Sequence, residues 1–354
     1  MTLSNLLRTL GTNRRDGRNL THDEAYRAFT AIFVGSESDI AVGAFLTAMR
    51  WKGVTIEELV GFAQAARDQA RIPCQGMEGL VAVCPPHDGS DTVPPLEVAS
   101  CLIAAGAGAR VLLITDQGLP PRRGVTAACA LQELGGGLTW DPTEAEDWIC
   151  KSRFAAIAAP GMLPGLMNLR KVRGELGVRT PLFTVEKLIA PSSAAVVVGA
   201  QEGAVLGTAV EVMVGLGHPR GIALQGLEGG VVPSVRRRTR GIEMTDSSQV
   251  PLTVEPMDFG LASSTEPDLP MYGPPDEGKG SGDNPLLIQA AGETVLKVLA
   301  GVEGPARNAT LLGAAVMLKA SGRVPTLAEG VDAAITSLDS GEAHRILKSV
   351  TDLG

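Results

Sequence analysis

From residue 73 onward, short apolar runs alternate with alanine-rich stretches of helical length, and this alternation decides the class of fold. The runs fall at 80–83, 111–114, 154–158, 195–198 and 221–224. The helical stretches fall at 96–109, 124–134, 164–176 and 203–216. Apolar runs with no polar alternation belong to strands buried on both faces. Strands that alternate with helices predict an α/β fold, a mostly parallel sheet with helices on its faces. Aromatics are few, seven Phe, two Tyr and three Trp, so Ala, Val, Leu and Ile must build the core.

Residues 1–72 read differently. "LTHDEAYRAFTAIFVG" offers Thr21 as N-cap with Glu24 three residues on, a capping box, and puts Ala25, Phe29, Ile32 and Phe33 on one helical face. "SDIAVGAFLTAMRWKG" ends at Gly53, and Thr55 with Glu58 caps "VTIEELVGFAQAARDQA". These short amphipathic helices make a helical subdomain. Residues 241–285, rich in Pro, Gly, Ser and acid, read as a meandering surface segment with an edge strand at 250–254. Two helices follow, "NPLLIQAAGETVLKVLAG" and "ARNATLLGAAVMLKASG", and Thr326 with Glu329 opens a last one. There is no internal repeat of 20–50 residues.

Several classes are disfavoured. Five cysteines at 74, 84, 101, 129 and 150 contain no CxxC, and the four histidines lie far apart, so neither a disulfide framework nor a zinc site is expected. The start "MTLSNLLRTLGTNRR" lacks a signal-peptide pattern. The longest apolar stretch, 98–114, contains Arg110 and is too short and broken to span a membrane. A cytoplasmic protein with reduced thiols is the expectation. A net charge of −8 argues against general nucleic-acid affinity, but the charge is uneven. Residues 241–280 carry eight acids and one lysine, residues 151–187 carry seven bases and two acids, and "RRRTR" stands at 236–240.

The loop "VCPPHDGSDTVPP" at 83–95, between a strand and a helix, has the position of a phosphate cradle. Around it, "LTHDEAYRAFTAI", "GAFLTAMRWKGVTIEELVGFAQAAR", "VRGELGVRT", "MDFGL", "GPARNATLLGAAVMLKASG" and "LAEGVDAAITSLDSGEA" run in order from 20 to 343. Together they resemble the anthranilate phosphoribosyltransferase family of glycosyl transferases, close in fold to pyrimidine nucleoside phosphorylases. The resemblance implies a small helical domain (1–72, with a contribution from about 164–190) and a large α/β domain (73–163 and 191–354). It also implies a homodimer paired through the helices and an active site between the domains. Phosphoribosyl diphosphate would bind there with magnesium, and its ribosyl carbon would pass to anthranilate.

Carried over residue by residue, the resemblance breaks at the chemistry. The family's Gly-Thr-Gly-Gly-Asp diphosphate loop falls on Pro85, Pro86, His87, Asp88 and Gly89, where two prolines lack an N–H and Asp88 adds negative charge. Its Asn-Ile-Ser-Thr run falls on Pro95, Leu96, Glu97 and Val98, and its Lys-His-Gly-Asn on Leu113, Ile114, Thr115 and Asp116. Its magnesium-holding acidic pair falls on Val231 and Val232, with Glu228 alone nearby, and its anthranilate-pocket histidine on Leu163. Arg173 alone matches on the substrate side. Together with "RRGVTAACALQELG", "RTPLFTVEKLIAPSS" and "GLEGG", these departures resemble a divergent branch in which other residues replace the transferase motifs.

The expectation is a transferase-family protein whose phosphoribosyl transfer to anthranilate is lost or altered, with no metal and no cofactor. The alternative is a non-catalytic protein that binds nucleic acid or another polyanion through a basic interdomain cleft. The candidate anion ligands are Arg122, Arg123, Arg173, Lys187, Arg236, Arg237 and Arg238. Arg179 reads as a helix-end partner of Glu175 or Glu186. A solvated turn competes for Arg122 and Arg123, and pairing with the acidic 241–280 segment competes for "RRRTR".

Overall fold

The structure, a computed structural model, describes residues 2–11, 17–201, 203–270 and 281–353. Four helices come first: α1 (Leu3–Leu10), α2 (His22–Val34), α3 (Asp39–Lys52) and α4 (Ile56–Gln69). The capping boxes at Thr21/Glu24 and Thr55/Glu58 are both formed. Phe29 stacks on Phe62 at 3.8 Å between ring centroids, and Phe45 meets Phe62 edge-on at 6.3 Å. Much of the chain's small aromatic content therefore centres the helical bundle.

The α/β part follows the order β1 (Leu80–Cys84), α5 (Glu97–Gly106), β2 (Arg110–Thr115), α6 (Ala127–Glu133), α7 (Pro142–Ser152) and β3 (Phe154–Ala158). Then come α8 (Ala159–Met162), α9 (Gly165–Asn168), α10 (Arg170–Leu176), α11 (Leu182–Glu186), β4 (Ala195–Gly199), α12 (Gly203–Gly215) and β5 (Arg220–Leu224). β6 (Thr239–Thr245) and β7 (Ser248–Val254) form a hairpin, and α13 (Pro285–Leu299), α14 (Pro305–Ala320), α15 (Leu327–Asp339) and α16 (Glu342–Thr351) close the chain. The stretch read as one helix at 164–176 is two short helices meeting at Leu169, and the run at 98–114 divides into α5 and β2.

The strands form one seven-stranded sheet in the order β3-β2-β1-β4-β5-β6-β7. The first five are parallel, and the hairpin adds β6 and β7 antiparallel. Successive side chains of the buried strands alternate between two cores. Ala82, Cys84, Leu112, Ile114 and Val196 join the helical bundle and α9–α11. Val81, Val83, Val111, Leu113 and Val197 face α5 and α13–α16. At the carboxyl ends of β1, β4 and β5, Pro86, Ala200 and Glu228 share one cavity wall with Arg50, Val54 and Leu59 of the helical bundle. In open α/β sheets ligands bind at that end.

The segment 241–285 departs from the reading of a meander. Its first part completes β6 and β7, with β7 as the sheet edge, while 271–280 lies outside the described residues. Among the described residues no helix is long and apolar enough to cross a membrane.

Candidate functional site

The loop after β1 is bound by its own protein. Pro85 to Gly89 are all buried. The Asp88 carbonyl accepts from the amides of Arg123 (2.8 Å) and Gly124 (3.0 Å), the His87 carbonyl accepts from Leu119 N–H (3.0 Å), and Ser90 exchanges both backbone bonds with Val125 (2.9 and 3.0 Å). Gly89, at φ +87°, permits this approach: a Cβ there would lie 2.2 Å from the Gly124 oxygen. The loop is zipped to residues 119–125 and is not an open cradle.

Its side chains are also occupied. Arg179 donates through Nε to Asp88 Oδ2 at 2.8 Å, and its Nη2 reaches the same oxygen. This corrects the expected pairing of Arg179 with Glu175 or Glu186. His87 places Nε2 3.1 Å from the Ile114 carbonyl and Nδ1 3.6 Å from Glu186 Oε2. The carbonyl can only accept, so Nε2 carries the hydrogen of the first contact, and the second is longer than a hydrogen bond. Arg173 is 1% exposed, pairs through Nη1 with Glu186, donates Nε to Pro120 O at 3.1 Å and lies 4.7 Å from the Phe183 ring centroid. The expectation of Arg173 as an anion ligand is corrected: it is the centre of a buried ion pair. Burial would raise the Glu186 carboxyl, but Arg173 and then His87 overcome this and hold it below the usual carboxylate range.

Glu228 closes the loop from the far side. Its carboxylate accepts from Asp91 N–H (2.9 Å), Thr92 N–H (3.1 Å) and the Thr92 hydroxyl (2.7 Å), and it pairs with Arg123 at 3.2 Å. Two amides, a hydroxyl and a guanidinium around one carboxylate are the donor set that a phosphate would recruit. Glu228 holds φ +51°, an unusual value for a residue with a side chain, between Gly226 and the pair Gly229–Gly230. Sequence reading left Glu228 alone. The signal was an acid set among glycines that allow a tight turn.

The other candidates are distributed. Arg122 pairs with Asp283 and donates to the Gly282 carbonyl, tying down the residues before α13. Arg170 donates through Nη2 to both carboxylate oxygens of Asp116, each at 2.6 Å, where the family has its Lys-His-Gly-Asn run. Arg236, Arg237 and Arg238 are exposed before β6. Their turn is fixed by Ser234 Oγ, which accepts from the amides of Arg236 (3.2 Å) and Arg237 (3.0 Å). Acids from the following segment answer part of this charge: Glu255 meets Arg238 at 3.2 Å, and Glu266 bonds Ser234 and Val235 N–H. Arg236 and Arg237 line one cleft with Thr92 and Glu228, and Arg237, Arg238 and Arg240 line another with Gln201 and Gln225.

Glu228 also borders a cavity of about 690 Å³ between the helical bundle and the sheet. Arg50 and Arg179 give it positive charge, the Lys187 amine also lines it, and Val54, Leu59 and Val198 are among its apolar walls. Burial holds the Lys187 ammonium below its ordinary value; Asp88 opposes this, and Arg179 adds to it. The structure thus brings Lys187 and Arg179 together, and leaves Arg173 behind the wall and Arg122 tied elsewhere.

Comparison with known proteins places this geometry in context. The helical bundle domain of the glycosyl transferase family matches residues 10–70, and that family's a/b domain matches 88–344. The anthranilate phosphoribosyltransferase of Symbiobacterium thermophilum is 29% identical over 339 residues, 95% of this chain and 94% of its own. That of Pyrobaculum calidifontis is 29% identical over 353 residues, 98% of each chain. The crystal structure of the Thermus thermophilus enzyme superposes with a TM-score of 0.80 at 26% identity, covering 95% of this chain and 96% of that one.

Proposed function

The chain belongs to the glycosyl transferase family that includes the anthranilate phosphoribosyltransferases, and from that premise we propose that its ordinary phosphoribosyl transfer to anthranilate is lost or altered. One observation carries this reading: the donors around the β1–α5 loop are already bound to protein groups, with the Glu228 carboxylate where an oxyanion would sit. A diphosphate would have to displace a tethered carboxylate and settle beside the buried Asp88. It would also meet two prolines without N–H groups.

The donor set does not fit magnesium, which takes oxygen ligands in a near-octahedral shell. Val231 and Val232 are buried in the apolar core, and Glu228 is taken up by Asp91, Thr92 and Arg123. Losing one oriented charge-stabilising group costs a transferase about 3–4 kcal/mol of transition-state stabilisation. Several missing together remove the family's rate.

A second reading, binding of nucleic acid or another polyanion, is favoured by one observation. The exposed Arg236, Arg237, Arg238 and Arg240 border two clefts that meet at Glu228. In either case pairing into a homodimer is proposed through α3, where Ile40 is 85% and Trp51 92% exposed on a face with Ala44 and Ala48. An exposed apolar patch of this kind marks an interaction surface.

Calorimetric titration separates the readings. Phosphoribosyl diphosphate with magnesium is expected to bind weakly and without metal dependence, and tight metal-dependent binding sinks the first reading. Single-stranded DNA at several salt concentrations tests the second, which fails if nothing binds even at low salt.

A further inference from the structure

The interdomain cavity holds a lysine that none of the interactions described so far uses. Lys187 follows α11 directly and lines the cavity with Arg50 and Arg179. Arg179 is held by Asp88, and Arg50 donates to the Arg179 carbonyl, so both guanidiniums are placed by the protein. The Lys187 amine makes no hydrogen bond and no ion pair with the described residues; it is left to the cavity. Much of the remaining wall is apolar, with Leu59, Pro181, Leu188 and Val198. At about 690 Å³ the space suits a small molecule.

We propose that this cavity binds a small anionic aldehyde, whose phosphate or carboxylate is held by Arg50 and Arg179 and whose carbonyl carbon forms a reversible imine with Lys187. The step balances without a redox partner. The neutral amine attacks the carbonyl carbon, a C–N bond forms as the C=O π bond opens, and one N–H proton passes to the oxygen. The resulting carbinolamine then breaks its C–O bond, the hydroxyl leaving as water with the second N–H proton, and C=N remains. An apolar, poorly hydrated wall favours the dehydrated side of this equilibrium. Burial depresses the ammonium and so raises the share of neutral, nucleophilic amine at neutral pH. Arg50 and Arg179 stay charged throughout; Arg179 spends Nε and Nη2 on Asp88, and Arg50 spends Nη1 on the Arg179 carbonyl, so the anion would be met by Arg179 Nη1 and the rest of the Arg50 guanidinium.

The cavity is bordered by Pro86 and Glu228, but the inference depends on neither functional reading, because its test reads the Lys187 amine and an anion at Arg50 and Arg179, not the loop amides or the exposed arginine cluster. It is tested on the whole wild-type protein by incubation with substoichiometric pyridoxal 5′-phosphate, reduction with borohydride and peptide mapping by mass spectrometry. Lys187 is expected to carry the adduct ahead of the exposed Lys151, Lys171 and Lys297. Pyridoxal, which lacks the phosphate, is expected to label Lys187 roughly tenfold less, the factor for losing about 1.4 kcal/mol of anion binding. The Arg50→Met variant should show the same loss with the phosphate probe and little change with pyridoxal. Adducts spread evenly over the surface lysines overturn the imine. Equal labelling of Lys187 by the two probes overturns the anion site. Neither result depends on whether a variant folds, because both are read on the wild-type chain.

Discussion

Glu228 reaches across 136 positions of sequence to cap Thr92, taking both its amide at 3.1 Å and its hydroxyl at 2.7 Å on Oε1. The contact ties the turn after β5 to the loop after β1 and fills the donor set with a carboxylate. Replacing Glu228 by Ala leaves the Asp91 and Thr92 amides without this acceptor. The expected loss is about 1–3 kcal/mol in anion-free buffer, partly restored by added phosphate or sulfate. Glu228→Gly should be less harmful than Glu228→Ala, because φ +51° suits glycine and costs alanine about 1 kcal/mol. Urea melts of the three proteins with and without phosphate check this. An alanine variant as stable as wild type in anion-free buffer would remove Glu228 as a structural anion.

Arg173 and Glu186 form a buried pair with each side chain 1% exposed. Removing one partner strands the other charge, so Glu186→Gln and Arg173→Met are each expected to lose about 3–5 kcal/mol. The double change to Met and Leu should recover much of that loss. The sign with pH follows from the lowered Glu186 carboxyl. Its contribution is present above the unfolded carboxylate pKa and fades as pH falls through that range toward the folded value. Acid unfolding of wild type should therefore be steeper than that of the double variant, and equal slopes would count against the pair.

Glu97 titrates the other way. It lies in the first turn of α5, 9% exposed, and burial pushes its carboxyl up to about 7; a bond to its own backbone opposes this and Glu228 adds to it. The folded chain keeps a proton that the unfolded chain releases above its ordinary value near 4.5. This stabilisation of the protonated form is complete below about pH 4.5 and is lost as pH rises through 7. Glu97→Gln cannot ionise. Its stability relative to wild type should improve by about 3 kcal/mol between pH 4.5 and 8. Denaturant midpoints at four pH values decide it, and parallel curves would place Glu97 in a solvated setting.

Much of the fold was legible because its signals are local. Thr21 with Glu24, Thr55 with Glu58 and Thr326 with Glu329 are three residues apart, and each forms its capping box. The apolar runs became β1–β5 because burial on both faces removes polar alternation. The hairpin β6–β7 was harder to read: most of β7 is exposed, and β6 begins inside "RRRTR", where charge hides the strand pattern. At the β1–α5 loop the sequence alone showed that two N–H donors are missing, since proline's missing N–H is a property of the residue itself. The loop's partners were not legible. Arg179 finds Asp88 at a separation of 91 positions, and Glu228 finds Asp91 at 137, distances over which only the assembled sheet sets the pairing.

The exposed arginines before β6 give the polyanion reading a quantitative form. Each phosphate contact to a single strand contributes about 0.7 to the slope of log affinity against log salt. Changing Arg236 and Arg237 together to Ser is expected to flatten that slope by about 1.4 and to weaken binding similarly for all base sequences. The two side chains are exposed and line the Glu228 cleft, so stability should be nearly unaffected. A variant with an unchanged slope would move any nucleic-acid contact away from this cluster.

Trp51 tests the proposed dimer. The side chain is 92% exposed near the end of α3, and Ile40 is 85% exposed one helix length away. Val172 and Leu176 of α10 extend the same apolar groove. Neither exposed side chain supports the core of its own chain, so Trp51→Glu should leave the melting temperature of an isolated subunit almost unchanged. In a dimer paired on this face it would bury a charge at the centre of the contact, where aromatic anchors carry about 2 kcal/mol or more each. Light scattering across a concentration series should then show a dimer for wild type and a monomer for the variant. If both proteins scatter as monomers, α3 is not a self-association surface; if both remain dimers, pairing uses another face.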